Sequence, residues 1–223
     1  MICIIQARVN STRLNNKMFK KINKEFIIEW VINRCKKIKR VDKVLLAIPN
    51  NNKQKRLIKI AKKLNCDVFQ GSESNLVKRY YDVLKKYNEN FFLRVCADNP
   101  FLCPKEIDHL IKYFKKKKLD YAYNHAPIGN SYPDGIGAEI SSFKTLKKIK
   151  SFSKKKEQKE HLFNYIWQNL NKFNISTLEP KNKFYNKPFL KLDIDYLHQL
   201  RSFKKLKINS SMDSSLIIKK IIK

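Results

Sequence analysis

The 223 residues include 49 Lys and Arg against 19 Asp and Glu, a formal net charge of +30, with 43% hydrophobic residues and four glycines. This length suits one larger α/β domain, and the short periodic blocks of apolar residues exclude wholesale disorder. No run approaches the roughly 18 apolar residues of a membrane span, and residues 2–5 lack a secretory leader, so a cytoplasmic protein that does not enter membranes is expected.

Residues 2–6 form a short apolar run without helical period, and residues 43–48, 66–69, 91–95 and 121–123 have the same character. Between these predicted strands, apolar residues recur at helical spacing: Phe26, Ile27, Trp30 and Val31; Leu57, Ile60, Ala61 and Leu64; Leu76, Val77, Tyr80 and Leu84; Ile107, Leu110, Ile111 and Phe114. Short buried strands alternating with helices of 10 to 15 residues or so predict βαβ crossovers, hence an α/β fold with a mainly parallel twisted sheet and helices on both faces. After Asp120 the rhythm changes to a loop over residues 124–137, a strand over 138–142, a helix over 160–170 and strands over 173–178 and 189–194, with Asp195 placed to cap a helix running towards Leu206. No repeat or long linker divides residues 1–223, so a single domain is expected.

Several chemistries find no support in this pattern. The five cysteines, Cys3, Cys35, Cys66, Cys96 and Cys103, form no C-x-x-C pair and mostly lie in apolar runs, as small buried hydrophobes do in a reducing compartment. His109, His125 and His198 have no zinc-ligand spacing, while Trp30 and Trp167 sit at core periodicity. The charge of +30 would attract any polyanion. With no nucleic-acid-binding motif beside it, the charge reads first as lysine-rich solvated helix faces, which leaves nucleic acid an unfavoured partner.

In open parallel sheets, ligands bind beyond the carboxyl ends of the strands. The first such loop carries Arg8, Arg13, Lys17, Lys20, Lys21 and Lys24 with no acid before Glu25, together with Asn10, Ser11 and Thr12. Forked guanidinium groups, ammonium groups and hydroxyls are the donors a triphosphate needs, although an exposed basic loop would have the same composition. No Walker A sequence is present. Asp98 and Asp195 each follow a strand-like run, and Mg²⁺ is held by one or two carboxylates together with waters and phosphates; a helix cap is the competing role for either residue. Asp193 shares a strand face with Asp195 and could join it or pair with a lysine.

The segment IIQARVNSTRLNNK at residues 4–17 resembles the nucleotide-binding signature A-R-x-x-S-T-R-L-P-x-K of the cytidylyltransferases that make CMP-sugars, the spore-coat polysaccharide type in particular. Asn15 and Asn16 stand where the family has Pro-Gly, and Asn tolerates left-handed backbone well. FQGSESNLVKRYYDVLKKY at 69–87, LRVCADNPFL at 93–102, YPDGIGAEISSF at 132–143, KEHL at 159–162 and LKLDIDYLHQL at 190–200 are similar to further family segments in the same order. In the last of these Leu197 replaces a usual Pro, and Asp193 a usual hydroxyl residue.

This resemblance implies a Rossmann-like nucleotidyltransferase fold of the glycosyltransferase-A type and a CTP-using enzyme. Ala7, Arg8, Ser11, Thr12, Arg13, Lys17, Gly71 and Ser72 would bind the nucleotide. Asp98 and Asp195 would hold Mg²⁺, with Arg13, Lys17, Asp98 and Asp195 as the catalytic set. His161 would contact the acidic sugar acceptor and a homodimer is the implied assembly, while the residues themselves let Arg79 and Arg94 reach a phosphate or a substrate carboxylate and Asp134 accept a hydrogen bond from an acceptor hydroxyl. Arg79 and Arg94 read equally well as ion-pair partners, His161 as a packing residue and Asp134 as part of a Pro-Asp-Gly turn. The alternatives are a transferase using another NTP or a phosphorylated alcohol, and a non-catalytic nucleic-acid-binding protein.

Overall fold

A computed structural model of the chain describes residues 1–9 and 13–223. Strand β1 (Ile2–Gln6) runs parallel to two neighbours, β4 (Lys43–Pro49) on one side and β6 (Phe91–Cys96) on the other. Beyond β4 lies β5 (Asp67–Gly71), also parallel. Beyond β6 comes β8 (Glu139–Ser142), antiparallel to both β6 and its next neighbour β7 (Tyr121–Tyr123), and β9 (Ile175–Thr177) closes the far edge parallel to β7. A separate two-stranded pair joins β2 (Lys21–Ile22) to β3 (Glu25–Phe26). The order β5-β4-β1-β6-β8-β7-β9 is the mainly parallel α/β sheet that the alternating elements predict.

Residues i and i+2 of a strand share a face, and the core divides accordingly. Cys3, Ile5, Leu46 and Ile48 face α1 (Ile27–Cys35), α2 (Lys55–Lys63) and α4 (Pro104–Lys117). Ile2, Ile4, Leu45 and Ala47 face α3 (Leu76–Tyr87) and α5 (Phe143–Phe152). Both faces are thus covered, which explains why the central strands are continuously apolar rather than alternating. A third cluster beside the sheet gathers Trp30, Phe101, Leu192, Ile194 and Phe203, and it roots the C-terminal segment. Arg34 fastens that segment from below: its fully enclosed guanidinium donates to the carbonyls of Leu102, Ser210 and Met212 and to the Ser214 hydroxyl. All five cysteines are free thiols.

Three expectations about the second half need correction. The helix expected over 160–170 is split into α6 (Lys156–Glu160) and α7 (Asn164–Trp167), because His161 is extended and the turn after it drops both Leu162 and Phe163 into the core, where Phe163 packs on Phe92 and Tyr121. The strand expected over 173–178 shortens to β9. Residues 189–194 form no strand of the main sheet, because the backbone of the segment bonds to Asp134 and Asp98 instead; it makes a single bridge, Asp134 with Lys191, and lies along the 132–137 loop.

Candidate active site

At the carboxyl ends of β1 and β6 opens a cavity of about 450 Å³, within the size range of small-molecule sites. Ala7, Arg8, Arg13, Lys17, Arg79, Arg94, Asp98 and His161 all line it. Ser11 and Thr12 lie outside the described residues. The turn that delivers Lys17 is made by the two asparagines: Asn16 is left-handed (φ 53°, ψ 33°), Leu14 accepts the Lys17 amide at 3.1 Å, and a short 3₁₀ turn Lys17–Phe19 follows. Asn here does the conformational work of glycine.

Lys17 is 5% exposed, and its Nζ lies 2.9 Å from Asp98 Oδ2 and 2.9 Å from Asp195 Oδ1. Burial pulls its pKa down, but the two carboxylates outweigh burial and leave it above the ordinary lysine value. Arg13 Nη2 reaches the same Asp195 Oδ1 at 3.0 Å from an exposed position. Asp195 therefore does not cap the helix α8 (Leu197–Lys204); Tyr196 is the N-cap residue, and Gln199 Oε1 accepts the amides of Asp195 and Tyr196 instead. Capping is taken over by Gln199, and the Asp195 carboxylate is left for the cations.

The remaining expected residues divide. Arg79 is buried and folds back on its own loop, donating through Nε and Nη2 to the Ser72 carbonyl at 2.8 and 2.6 Å. Ser72 is turned inward, its hydroxyl accepting the Asn75 amide, so its neighbours Glu73 and Ser74 reach the cavity in its place. A side chain at Gly71 would strike Arg79 Cγ at 2.8 Å, so this glycine serves the packing of Arg79. Arg94 donates to Gln6 Oε1 at 2.9 Å and pairs with Glu139, which also accepts from Tyr121 at 2.6 Å. Asp134 is tied through its backbone to Leu190 and Leu192, away from the cavity lining.

The match of this chain to known proteins agrees with the geometry. The family model described as Cytidylyltransferase matches residues 2–220. The chain belongs to the cytidylyltransferase family. Among relatives, it is 31% identical over 206 residues to an uncharacterised protein of Methanocaldococcus jannaschii, covering 92% of this chain and 82% of that one. It is 27% identical over 211 residues to the spore coat polysaccharide biosynthesis protein SpsF of Bacillus subtilis, covering 92% and 85%. Among solved structures, a cytidylyltransferase from Leptospira borgpetersenii superposes with a TM-score of 0.90 at 24% identity, covering 99% of this chain and 93% of that one, which shows a common fold.

In this cytidylyltransferase, the Lys17 ammonium marks a point where two carboxylates converge on one cation. Among the described residues no cluster of three His, Cys, Asp or Glu could hold a metal. Two carboxylates suit Mg²⁺, which takes its other ligands from water and substrate phosphates, so the donor set fits the ion the family resemblance implies. Cys96 also lines the cavity, but burial pushes its thiol up to about 12 and keeps it from acting as a thiolate nucleophile.

The partners of Arg94, and the unpartnered Oδ1 of Asp193, appear only in the folded chain. Glu139 and Gln6 hold the Arg94 guanidinium, and only the β6–β8 register, Arg94 opposite Glu139, brings the charge pair together. Asp193 stands at the edge of the aspartate group with its Oδ1 buried and unpartnered, and burial, then the charges of Asp134 and Asp195, raise its pKa to about 6. Gly135, at φ +84°, lets the 132–137 loop approach so closely that a side chain there would lie 2.7 Å from the Asp193 nitrogen. A carboxyl whose pKa is raised on folding costs stability above that value, and the cost disappears as pH falls towards the unfolded value near 4. Asp193→Asn in metal-free enzyme is therefore expected to stabilise by about 1 to 2 kcal/mol at pH 7.5 and by nothing near pH 4. Thermal unfolding at both pH values checks this; equal stability at pH 7.5 refutes it.

Proposed function

We propose that this enzyme transfers the cytidylyl group of CTP to the oxygen of an acidic sugar or sugar-like acceptor, with release of pyrophosphate and dependence on Mg²⁺, in the biosynthesis of a surface polysaccharide or glycan. The observation that carries this reading is the convergence of Arg8, Arg13, Lys17, Arg79 and Arg94 with Asp98 in one cavity at the strand ends. Five cations set against the three acids of the same lining, Glu73, Asp98 and Glu160, suit a polyanionic nucleotide. The family supplies the nucleotide, and the relative SpsF, by its name, a connection to polysaccharide.

In this scheme the acceptor hydroxyl attacks the α-phosphorus, the bond to the β-phosphate oxygen breaks, and pyrophosphate leaves. Arg8, Arg13 and Lys17 hold the departing phosphates and neutralise the charge that builds on them, with Ser11 and Thr12 as further donors. Arg79, held on the Ser72 carbonyl, and Arg94, paired with Glu139, offer the acceptor only the remaining edges of their guanidinium groups, with His161 beside them in the lining. Asp98 and Asp195 would hold Mg²⁺, which supplies charge stabilisation at the α-phosphate and acidifies an attacking hydroxyl. Positioning and charge do most of the work, because no covalent enzyme intermediate is required. We propose a homodimer, as the family resemblance implies, working in the cytoplasm; among the described residues no helix is long and apolar enough to cross a membrane.

The test is to incubate the protein with each of the four NTPs, Mg²⁺ and a panel of acidic sugars, to follow pyrophosphate, and to identify the product by mass. Release with CTP and an acidic sugar, giving a CMP conjugate, is the expected result. Preference for another NTP or for a phosphorylated alcohol would replace this substrate assignment.

A further inference from the structure

The Asp98–Asp195 pair already faces two cations of the chain's own: exposed Arg13, 3.0 Å from Asp195 Oδ1, and buried Lys17, which alone touches both carboxylates. Lys17 Nζ stands 2.9 Å from each carboxylate, on a side chain only 7% exposed. The two loops are also fixed to each other: the Ile194 amide donates to the Asp98 carbonyl at 3.0 Å. The two loops therefore stay together whether or not Lys17 remains between their carboxylates. The buried arginines nearby are not free to move. Arg79 is spent on the Ser72 carbonyl and Arg94 on Gln6 and Glu139, whereas Lys17 is a compact charge on a flexible stem with three freely rotating donors.

We infer that Lys17 is a resident counter-ion which a divalent cation displaces: its ammonium fills the gap between Asp98 and Asp195 in the resting enzyme, and swings into the cavity when the metal arrives. This deepens the Mg²⁺-dependent reading and rests on it. Metal without nucleotide must break the two Lys17 bonds, compete with Arg13 for Asp195 and leave a half-desolvated ammonium behind. Metal with a polyphosphate gives that ammonium a new anionic partner in the same cavity. The binding of the two is thereby coupled, and the coupling is reciprocal. Lys17 acts on the aspartates as a positioning residue before it acts on the nucleotide.

Two measurements test the exchange. First, Mn²⁺ binding in the absence of nucleotide is titrated by electron paramagnetic resonance. Lys17→Met and Lys17→Gln are expected to bind the ion about ten-fold tighter than the unaltered enzyme, or more, and adding Asp98→Asn to either is expected to abolish the gain. Arg8→Gln removes a cation of the same cavity that bonds neither carboxylate, and is expected to change affinity by less than about three-fold. Equal affinity in the Lys17 variants, or an equal gain in Arg8→Gln, overturns the exchange. Second, amine-directed labelling of the unaltered enzyme is read by peptide mass spectrometry. Lys17 is expected to be protected in metal-free enzyme and labelled several-fold faster at saturating Mg²⁺, with surface lysines such as Lys116 unchanged. Unchanged labelling at Lys17 overturns the proposal even if the variants fail to fold. The function is judged separately: CTP turnover without any Lys17 effect removes the exchange and keeps the transferase reading, and the Lys17 effects without CTP turnover do the reverse.

Discussion

Asp98→Asn is expected to lower pyrophosphate release from CTP by about 10³-fold or more, equivalent to at least about 4 kcal/mol of lost transition-state stabilisation. The fold is expected to survive, because Asp98 is partly exposed, its backbone bond to Ile194 does not involve the side chain, and Lys17 keeps Asp195 as a partner. Asn preserves shape and hydrogen bonding while removing the charge. The variant thus separates a carboxylate needed for chemistry from one needed to cap or pair. Unfolding temperature and circular dichroism report the first control, and turnover under saturating CTP and Mg²⁺ reports the effect. Turnover within about ten-fold of the unaltered enzyme would remove Asp98 from the catalytic set, since a single screened surface ion pair contributes only about 0 to 1 kcal/mol.

The contrast between Asp98 and Asp195 shows how far the sequence could be read. Local features were legible. The periodicity of residues 2–123 predicts the parallel half of the sheet, and the loops after β1 and β6 place Arg8, Arg13, Lys17 and Asp98 at one cavity as expected. The Asn15–Asn16 turn was legible too, because left-handed backbone is a property of the residue type and Asn16 adopts it. Relations between distant segments were not. Asp195 read as a metal ligand with a helix cap as its competing role, and the fold decides between them only through a distant segment, giving the cap position to Tyr196 and the carboxylate to Lys17. Ser72 and its neighbours differ by one position in which side chain faces inward, a distinction made by the Ser72 bonds to Arg79 and Asn75. The strand expected over 189–194 is absent because the segment's backbone bonds go to Asp134 in the 132–137 loop and to Asp98 rather than to the main sheet, a long-range choice that alternation does not encode.

Arg94 is where the two kinds of information meet, and its pairing with Glu139 makes the second large prediction. Arg94 read equally well as an anion-binding residue and as an ion-pair partner; it lines the cavity, and part of its guanidinium is committed to Gln6 and to buried Glu139. Burial alone would raise the Glu139 pKa, and the Arg94 charge overcomes it and holds the carboxyl below its ordinary value. The stability this contributes is present at neutral pH and is lost as pH falls through that depressed value. Removing one charge of a buried pair leaves the other uncompensated, so Glu139→Gln is expected to destabilise by about 2 to 4 kcal/mol even though Gln can still accept from Tyr121. Exchanging both charges, as Arg94→Met with Glu139→Gln, removes the stranded cation and is expected to restore at least half of that loss in a denaturant titration. Activity is expected to separate from stability in the double variant. If Arg94 presents its free edge to substrate, turnover stays at least about 10²-fold down, as when one preorganised donor is lost from a transition state. Recovery of turnover together with stability would make Arg94 a scaffold residue, leaving the cavity's anion recognition to Arg8, Arg13, Lys17 and Arg79.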